Sequence, residues 1–219
     1  MSTVVVIDYG MGNLRSVGKA LEHVAPRARV RISARAGDIA GADRVVFPGQ
    51  GAIGDAMAAL RERDLIDPLR QALASKPFLG VCLGLQALME RSEEDGGTGG
   101  LGVLPGEVLR FPQHFLDPED GSHLKVPHMG WNQVHQTRSH PLWRGIDQDS
   151  RFYFVHSYHV QARDPAIVAG TTRYGLDFVS AAARDNLFAV QFHPEKSQHA
   201  GLALLANFMR WDGEWTDPR

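Results

Sequence analysis

The chain has a single cysteine among its 219 residues. An internal disulfide is therefore excluded, and the thiol reads as one kept reduced in a cytoplasmic protein. Neither sign of charge is in excess: 23 Lys and Arg face 25 Asp and Glu, a formal net charge of -2. That balance gives no electrostatic reason to expect nucleic acid or an anionic membrane as partner. Long apolar runs are missing as well, and no stretch approaches the roughly 20 residues of a membrane span. The start, Met1-Ser2-Thr3-Val4-Val5-Val6-Ile7-Asp8, has no basic region before an apolar run only a strand long, so it does not read as a signal peptide. The ten histidines are scattered, with His156 and His159 the closest promising pair, and the cysteine has no second soft ligand. No structural zinc site is expected, and no metal or organic cofactor is implied.

What is present fits one α/β domain spanning 1–219, long enough to bury a core without staples. The organising stretch is Pro77-Phe78-Leu79-Gly80-Val81-Cys82-Leu83-Gly84-Leu85-Gln86-Ala87-Leu88-Met89. An apolar run with strand character stops at Cys82, a glycine stands two residues away on each side, and a helix-forming run follows to about 92. Gly-x-Cys-x-Gly has the form of a nucleophile elbow. A side chain at the apex of a strand-to-helix turn is forced out of the sheet on strained backbone, and its neighbours two residues away must be small for the turn to close. The helix N-terminus behind the sulfur supplies unpaired amides, and the positive end of its dipole favours a thiolate, the competent nucleophile. A lone cysteine after an apolar run is more often a small buried hydrophobe than a catalyst.

Read in order, 3–8 is a β-branched run suited to a central parallel strand. It leads through Tyr9-Gly10-Met11-Gly12-Asn13 into a helix over about 14–24, with Leu14, Val17, Ala20, Leu21 and Val24 on one face. Gly10-x-Gly12 resembles the start of a dinucleotide fingerprint, but Arg15 holds the place of the third glycine. Strands follow at 29–33 and 44–47, the second ending in Pro48-Gly49-Gln50-Gly51-Ala52. A glycine-flanked loop at a strand's carboxyl end can turn its amides into a cleft, or be a plain strand-to-helix turn. Helices are expected over about 53–63 and 65–74. The glycine-rich segment 95–102 lacks a phosphate loop's lysine and reads as a flexible surface connection. A strand at 107–111, a polar loop at 113–123 and an extended stretch at 125–134 come next, the last marked as edge or loop by Pro127. Trp131 in it suits either a satellite of the core or a docking surface. Strands at 152–158, 167–172, 178–183 and 187–192 have short connections and an antiparallel look, and a helix over about 198–211 closes the chain.

The last strand runs into His193-Pro194-Glu195-Lys196-Ser197. In extended backbone, residues two apart face one side, so Glu195 can hold the His193 imidazole while the ring faces the cleft. That supplies a base and its orienter, though by itself a His-Pro-Glu turn can be a surface loop. With Cys82 at another strand's end, the three compose a Cys-His-Glu triad.

These residues resemble the class I (triad) glutamine amidotransferases. Pro48-Gly49-Gln50-Gly51, Gly80-Val81-Cys82-Leu83-Gly84-Leu85-Gln86 and His193-Pro194-Glu195 match the family's three motifs in order, and the resemblance covers almost the whole chain. A finer resemblance, to the glutaminase subunits of imidazole glycerol phosphate synthase, rests on 8–16, 48–51, 125–132 and 193–197. Gln50 departs from it, standing where those subunits usually carry valine. The resemblance implies an α/β fold, with a central, mostly parallel sheet, flanking helices and an additional antiparallel region. It implies that Cys82 attacks the side-chain amide of glutamine, that His193 shuttles the proton, and that Glu195 orients His193. It further implies that the amide of Leu83 and one from the Gly49-Gln50-Gly51 loop hold the oxyanion, and that Gln86, with backbone at Ser157 and Tyr158, binds the substrate's α-amino acid end. Asn13, Trp131 and Lys196 match positions that face a partner, a (β/α)8 cyclase subunit that receives the ammonia through a tunnel. Glutaminases of pyridoxal phosphate or anthranilate synthesis, and a non-catalytic interaction protein on the same fold, are the alternatives.

Overall fold

A computed structural model describes residues 1–215. Its elements are β1 (Thr3–Ile7), α1 (Leu14–Val24), β2 (Arg29–Ser33), α2 (Ala36–Ala40), β3 (Arg44–Gly49), α3 (Ile53–Glu62), α4 (Ile66–Ser75), β4 (Phe78–Cys82) and α5 (Leu83–Leu88). Then follow β5 (Arg91–Ser92), β6 (Thr98–Gly99), β7 (Gly106–Arg110), β8 (His128–Gln133), β9 (His135–Gln136), β10 (Arg151–His156) and β11 (Tyr158–Ala162). The chain closes with β12 (Val168–Tyr174), β13 (Leu176–Arg184), β14 (Leu187–Val190) and α6 (Gln198–Arg210).

The main sheet has the strand order β2-β1-β3-β4-β14-β13-β11-β7-β5-β6, with β12 paired to β13 and β9. From β2 to β14 the pairings are parallel, and beyond β14 the neighbours β13, β11 and β7 run antiparallel. This is the expected α/β domain with a mostly parallel centre and an antiparallel extension. The central strands are buried on both faces, which is why they read as continuous apolar runs. Alternate residues go to opposite layers. Val5, Ile7, Val45 and Phe47 join the cluster under α3, α4 and α5, while Val4, Val6, Val46, Leu79 and Val81 join the one under α1 and α6.

Strand order reverses between β1 and β3, because α1 leads outward to β2 and α2 leads back across β1. Open α/β sheets bind ligands at such a point, beyond the carboxyl ends of the strands. The loops after β1, β3 and β4 all emerge there, and an ideal β-carbon on Gly12 would lie 3.6 Å from Gly49 Cα.

Four expectations are corrected. The helix after Cys82 ends at Leu88 rather than near 92, with Met89 extended and its N–H bonded back to Gln86. Arg91–Ser92 is instead a strand between β6 and β7. The glycine-rich 95–102 is not a loose connection: it forms a turn and β6, the amide of Gly100 donates to Glu90, and a β-carbon on Gly100 would overlap the Met89 carbonyl. The run 152–158 breaks at Ser157, so that β10 pairs with β8 in a separate two-stranded sheet and β11 joins the main sheet. Finally, Pro194–Lys196 is a 3₁₀ turn, not extended chain.

Candidate active site

Cys82 closes β4 and is the N-cap of α5, at φ 55° and ψ -110°. Non-glycine residues seldom adopt positive φ, and doing so costs of order 1–3 kcal/mol, held here by the surrounding packing. Both flanking glycines are required by contact. A β-carbon on Gly80 would lie 2.9 Å from Ala189 Cβ, and one on Gly84 would overlap the carbonyl oxygen of Phe47. The sheet thus presses a strained cysteine outward at the start of a helix, as the spacing of the motif predicts.

Across the sheet, β14 lies beside β4 and carries the chain to His193. The imidazole Nδ1 sits 2.9 Å from Glu195 Oε1, with both side chains almost fully buried. The extended-chain reasoning for this pair was wrong in detail: His193 is extended, but Glu195 returns to it through the tight Pro194–Lys196 turn. Ser197 pins the turn, donating its hydroxyl to the His193 carbonyl (2.6 Å) and accepting from the Tyr153 amide (2.9 Å). His193 Nε2 is buried and makes no hydrogen bond of its own. Burial pulls the His193 pKa down, but the Cys82 sulfur and the Glu195 carboxylate outweigh it and raise the value to about 10. The ring therefore holds its proton at neutral pH, between the sulfur and the carboxylate.

Gly49 is paired with Cys82 in register, so the loop that follows β3 starts beside the nucleophile. A β-carbon on Gly49 would run into Tyr9 Oη and lie 2.8 Å from Leu83 Cβ. Tyr9 donates its phenol to the Pro48 carbonyl at 3.0 Å. Burial, then the nearby Cys82, push the phenol's pKa well up, so it stays a neutral donor. Gly51 has φ +92°.

A cavity of about 420 Å³ opens over these groups, lined by Gln50, Gly51, Cys82, Leu83, Gln86, Ser157, Tyr158, His193 and Lys196, with His156 and Glu94 also on its wall. It brings together Cys82 and His193 of the expected triad, all the expected oxyanion residues except Gly49 and all the expected substrate-binding residues, while Glu195 reaches it only through its bond to His193. Gln86 is buried and donates to the Tyr158 carbonyl and to Gln191 Oε1, both at 3.1 Å. Lys196 reaches over the Tyr153 ring at 5.8 Å, and Trp131, 39 % exposed, meets that ring edge-on at 6.1 Å. Asn13 is exposed at the start of α1, beside the Gly49 loop. A residue beside the nucleophile was missed. Gln191 is fully buried at the end of β14 and donates to Cys82 Sγ at 3.7 Å. A lone glutamine inside the apolar run 187–192, two residues before His193, was the available signal.

Such a site has the parts for acyl transfer through sulfur: a nucleophile, an acid and base with its orienter, and a helix N-terminus for developing negative charge. Comparison with known proteins decides the family. A family model for glutamine amidotransferase class-I matches residues 5–211.

The chain belongs to that family.

Among curated class I amidotransferases, the chain is 59 % identical over 211 residues to "Imidazole glycerol phosphate synthase subunit HisH" of Aromatoleum aromaticum, covering 96 % of this chain and 99 % of that one. It is 58 % identical over 213 residues to the protein of the same name from Methylococcus capsulatus, covering 97 % and 98 %. Two solved structures, each described as a glutamine amidotransferase, share the fold at low identity. One is 18 % identical (TM-score 0.69, covering 95 % of this chain and 98 % of that one). The other, from Thermotoga maritima, is 16 % identical (TM-score 0.58, covering 89 % and 76 %). Among the described residues no helix is long and apolar enough to cross a membrane.

Proposed function

We propose that this chain is the glutaminase subunit of an imidazole glycerol phosphate synthase. It releases ammonia from glutamine for a cyclase subunit that makes imidazole glycerol phosphate and an aminoimidazole carboxamide ribonucleotide in histidine biosynthesis. The observation that carries the chemistry is the strained Cys82 held between two obligatory glycines, beside a buried His193–Glu195 pair. Identity above 55 % along almost the whole chain to subunits of that name supports the pathway. One cysteine and no membrane-crossing helix among the described residues suit a cytoplasmic place of action.

The Cys82 sulfur attacks the δ-carbonyl carbon of glutamine, forming a C–S bond and a tetrahedral oxyanion. The Leu83 amide and one from the Gly49-Gln50-Gly51 loop receive that charge. His193 gives its proton to the amide nitrogen, the C–N bond breaks, and ammonia leaves with a γ-glutamyl thioester behind. Water then attacks the thioester, His193 takes the water's proton, and glutamate departs as the sulfur is restored. Gln86, with Ser157 and Tyr158, holds the substrate's α-amino acid end. Asn13, Trp131 and Lys196 face the cyclase.

A glutamine analogue carrying an electrophile at the δ-position tests this chemistry. One equivalent added at Cys82, blocked by excess glutamine and absent from Cys82→Ala, is the expected result. Labelling that glutamine does not slow would point to a reactive thiol without a glutamine site, and to a non-catalytic role.

A further inference from the structure

A second buried polar array, outside the triad, crosses the protein from β8 to the cavity. Asn132 Nδ2 lies 3.3 Å from His128 Nε2 and donates to the Arg173 carbonyl at 2.9 Å. His128 Nδ1 lies 3.0 Å from His156 Nε2, and His156 Nδ1 lies 2.8 Å from the Tyr158 carbonyl. That carbonyl also accepts from Gln86, which donates to Gln191, which donates to Cys82. The chain of hydrogen bonds is continuous from Asn132 to the sulfur.

Donor and acceptor counting fixes its direction. A carbonyl only accepts, so His156 carries its proton on Nδ1 and its Nε2 is an acceptor. His128 must then donate from Nδ1, which leaves its own Nε2 to accept from Asn132. The Asn132 amide orientation agrees, because its oxygen accepts from the Gln133 amide at 2.8 Å. Each ring is thereby held in one neutral tautomer. Burial keeps them so, depressing His128 to about 4 and His156 to about 3. Packing adds rigidity: the His128 ring stacks on Tyr174 at 4.0 Å and on Phe154 at 4.9 Å.

We infer that His128 and His156 are positioning residues, forming a relay from the β8 face that fixes the Tyr158 carbonyl and, through it, the Gln86 side chain that takes the amino acid end of glutamine. The inference rests on the glutaminase reading above. It bridges the break at Ser157: β10 and β11 belong to different sheets, and the relay ties the peptide at that break to β8, the partner of β10. Without the His128 donor, His156 is no longer held in its Nδ1–H tautomer, its bond to the Tyr158 carbonyl loosens, and Gln86 sits on a freer peptide, which weakens glutamine binding more than it slows bond breaking.

The test uses the full chain saturated with a histidine-pathway cyclase and its nucleotide. His128→Phe keeps the ring stacking and removes the donor; His128→Asn restores an amide nitrogen at the Nδ1 position. The expected result is a rise of at least about fivefold in KM for glutamine in His128→Phe, a smaller change in kcat, and a KM within about twofold of wild type in His128→Asn. A folded His128→Phe with unchanged KM, or a rise that His128→Asn does not reverse, overturns the relay. Nitrogen NMR of the histidine rings in the wild-type chain gives a second readout, independent of turnover and of whether His128→Phe folds. Two neutral Nδ1–H rings at pH 7 are expected, and an Nε2–H tautomer at His156 refutes the assignment. A wild-type complex that hydrolyses no glutamine would sink the glutaminase reading, and the relay's role with it; changed tautomers or an unmoved KM in an active complex would sink the relay alone.

Discussion

The carbonyl oxygen of Phe47 occupies the space where a β-carbon on residue 84 would stand. One strand's backbone therefore packs directly on the elbow helix, and the nucleophile's position depends on an absent side chain. Gly84→Ala must push β3 and α5 apart. A loss of roughly 1–3 kcal/mol in unfolding free energy is expected, at the usual cost of overpacking a core, with a large loss of glutaminase activity. Denaturant unfolding checks it. Gly37→Ala, in α2 with open space around it, is the control and should be neutral or stabilising by up to about 1 kcal/mol.

The Cys82 sulfur and, after it, the Glu195 carboxylate hold His193 protonated, so removing the carboxylate's charge should shift the pH dependence of turnover. The folded pKa of His193 stands near 10, above its unfolded value, so the imidazolium persists through neutral pH and is lost only as pH rises towards 10. Glu195→Gln removes one of the two groups that raise it, and the alkaline limb of kcat/KM should move to lower pH. Since general acid–base catalysis contributes about 10²–10⁴ in rate, kcat should fall by a factor in that range at most. An unmoved alkaline limb would separate Glu195 from the proton transfer.

The buried neutral histidines make the fold sensitive to acid. His128 is depressed to about 4, His140 and His156 to about 3, burial being the main cause in each. Between pH 6.5 and 4 the unfolded chain binds protons at these sites that the native state does not, so stability falls as pH falls. Each such histidine contributes a slope of roughly 1.4 kcal/mol per pH unit in that window. Urea midpoints at pH 7, 6 and 5 should drop in sequence; a flat series would show that these rings are not held neutral.

Trp131 stands 39 % exposed against Tyr153, near the cavity mouth where Lys196 lies. An exposed aromatic so placed has the character of a binding hot spot. Trp131→Ala should weaken cyclase binding by about 2 kcal/mol or more, some thirtyfold in Kd, while leaving analogue labelling of Cys82 in the free chain unchanged. Calorimetric titration against the cyclase measures it.

The elements that position the site were legible where the sequence pattern is local. The elbow followed from two glycines around a cysteine, and α1 begins and ends where its apolar spacing places it. What could not be read locally depends on partners distant in sequence. The helix after Cys82 stops early because 91–92 has strand partners at 98–99 and 107–108, and the run 152–158 divides because its halves pair with different sheets. The meeting of His193 with Glu195 was anticipated from the wrong backbone geometry, since a proline that permits extended chain also suits the first position of a 3₁₀ turn. Gln191 and the pairing of His156 with His128 rather than with His159 escaped notice because buried polar residues announce no partner in the sequence.

Glutamate release from glutamine measures the central claim most directly. The purified chain is assayed alone, then with a histidine-pathway cyclase, then with cyclase and its nucleotide substrate, with Cys82→Ala beside each. Low release is expected from the chain alone if the Gly49-Gln50-Gly51 loop must reorient before its donor points inward, since losing one oxyanion donor costs roughly 10²–10³ in rate. A large rise is expected only in the full mixture, abolished by the substitution. Release that ignores the cyclase would move the triad to another pathway, and no release in any mixture would contradict the glutaminase reading at its root.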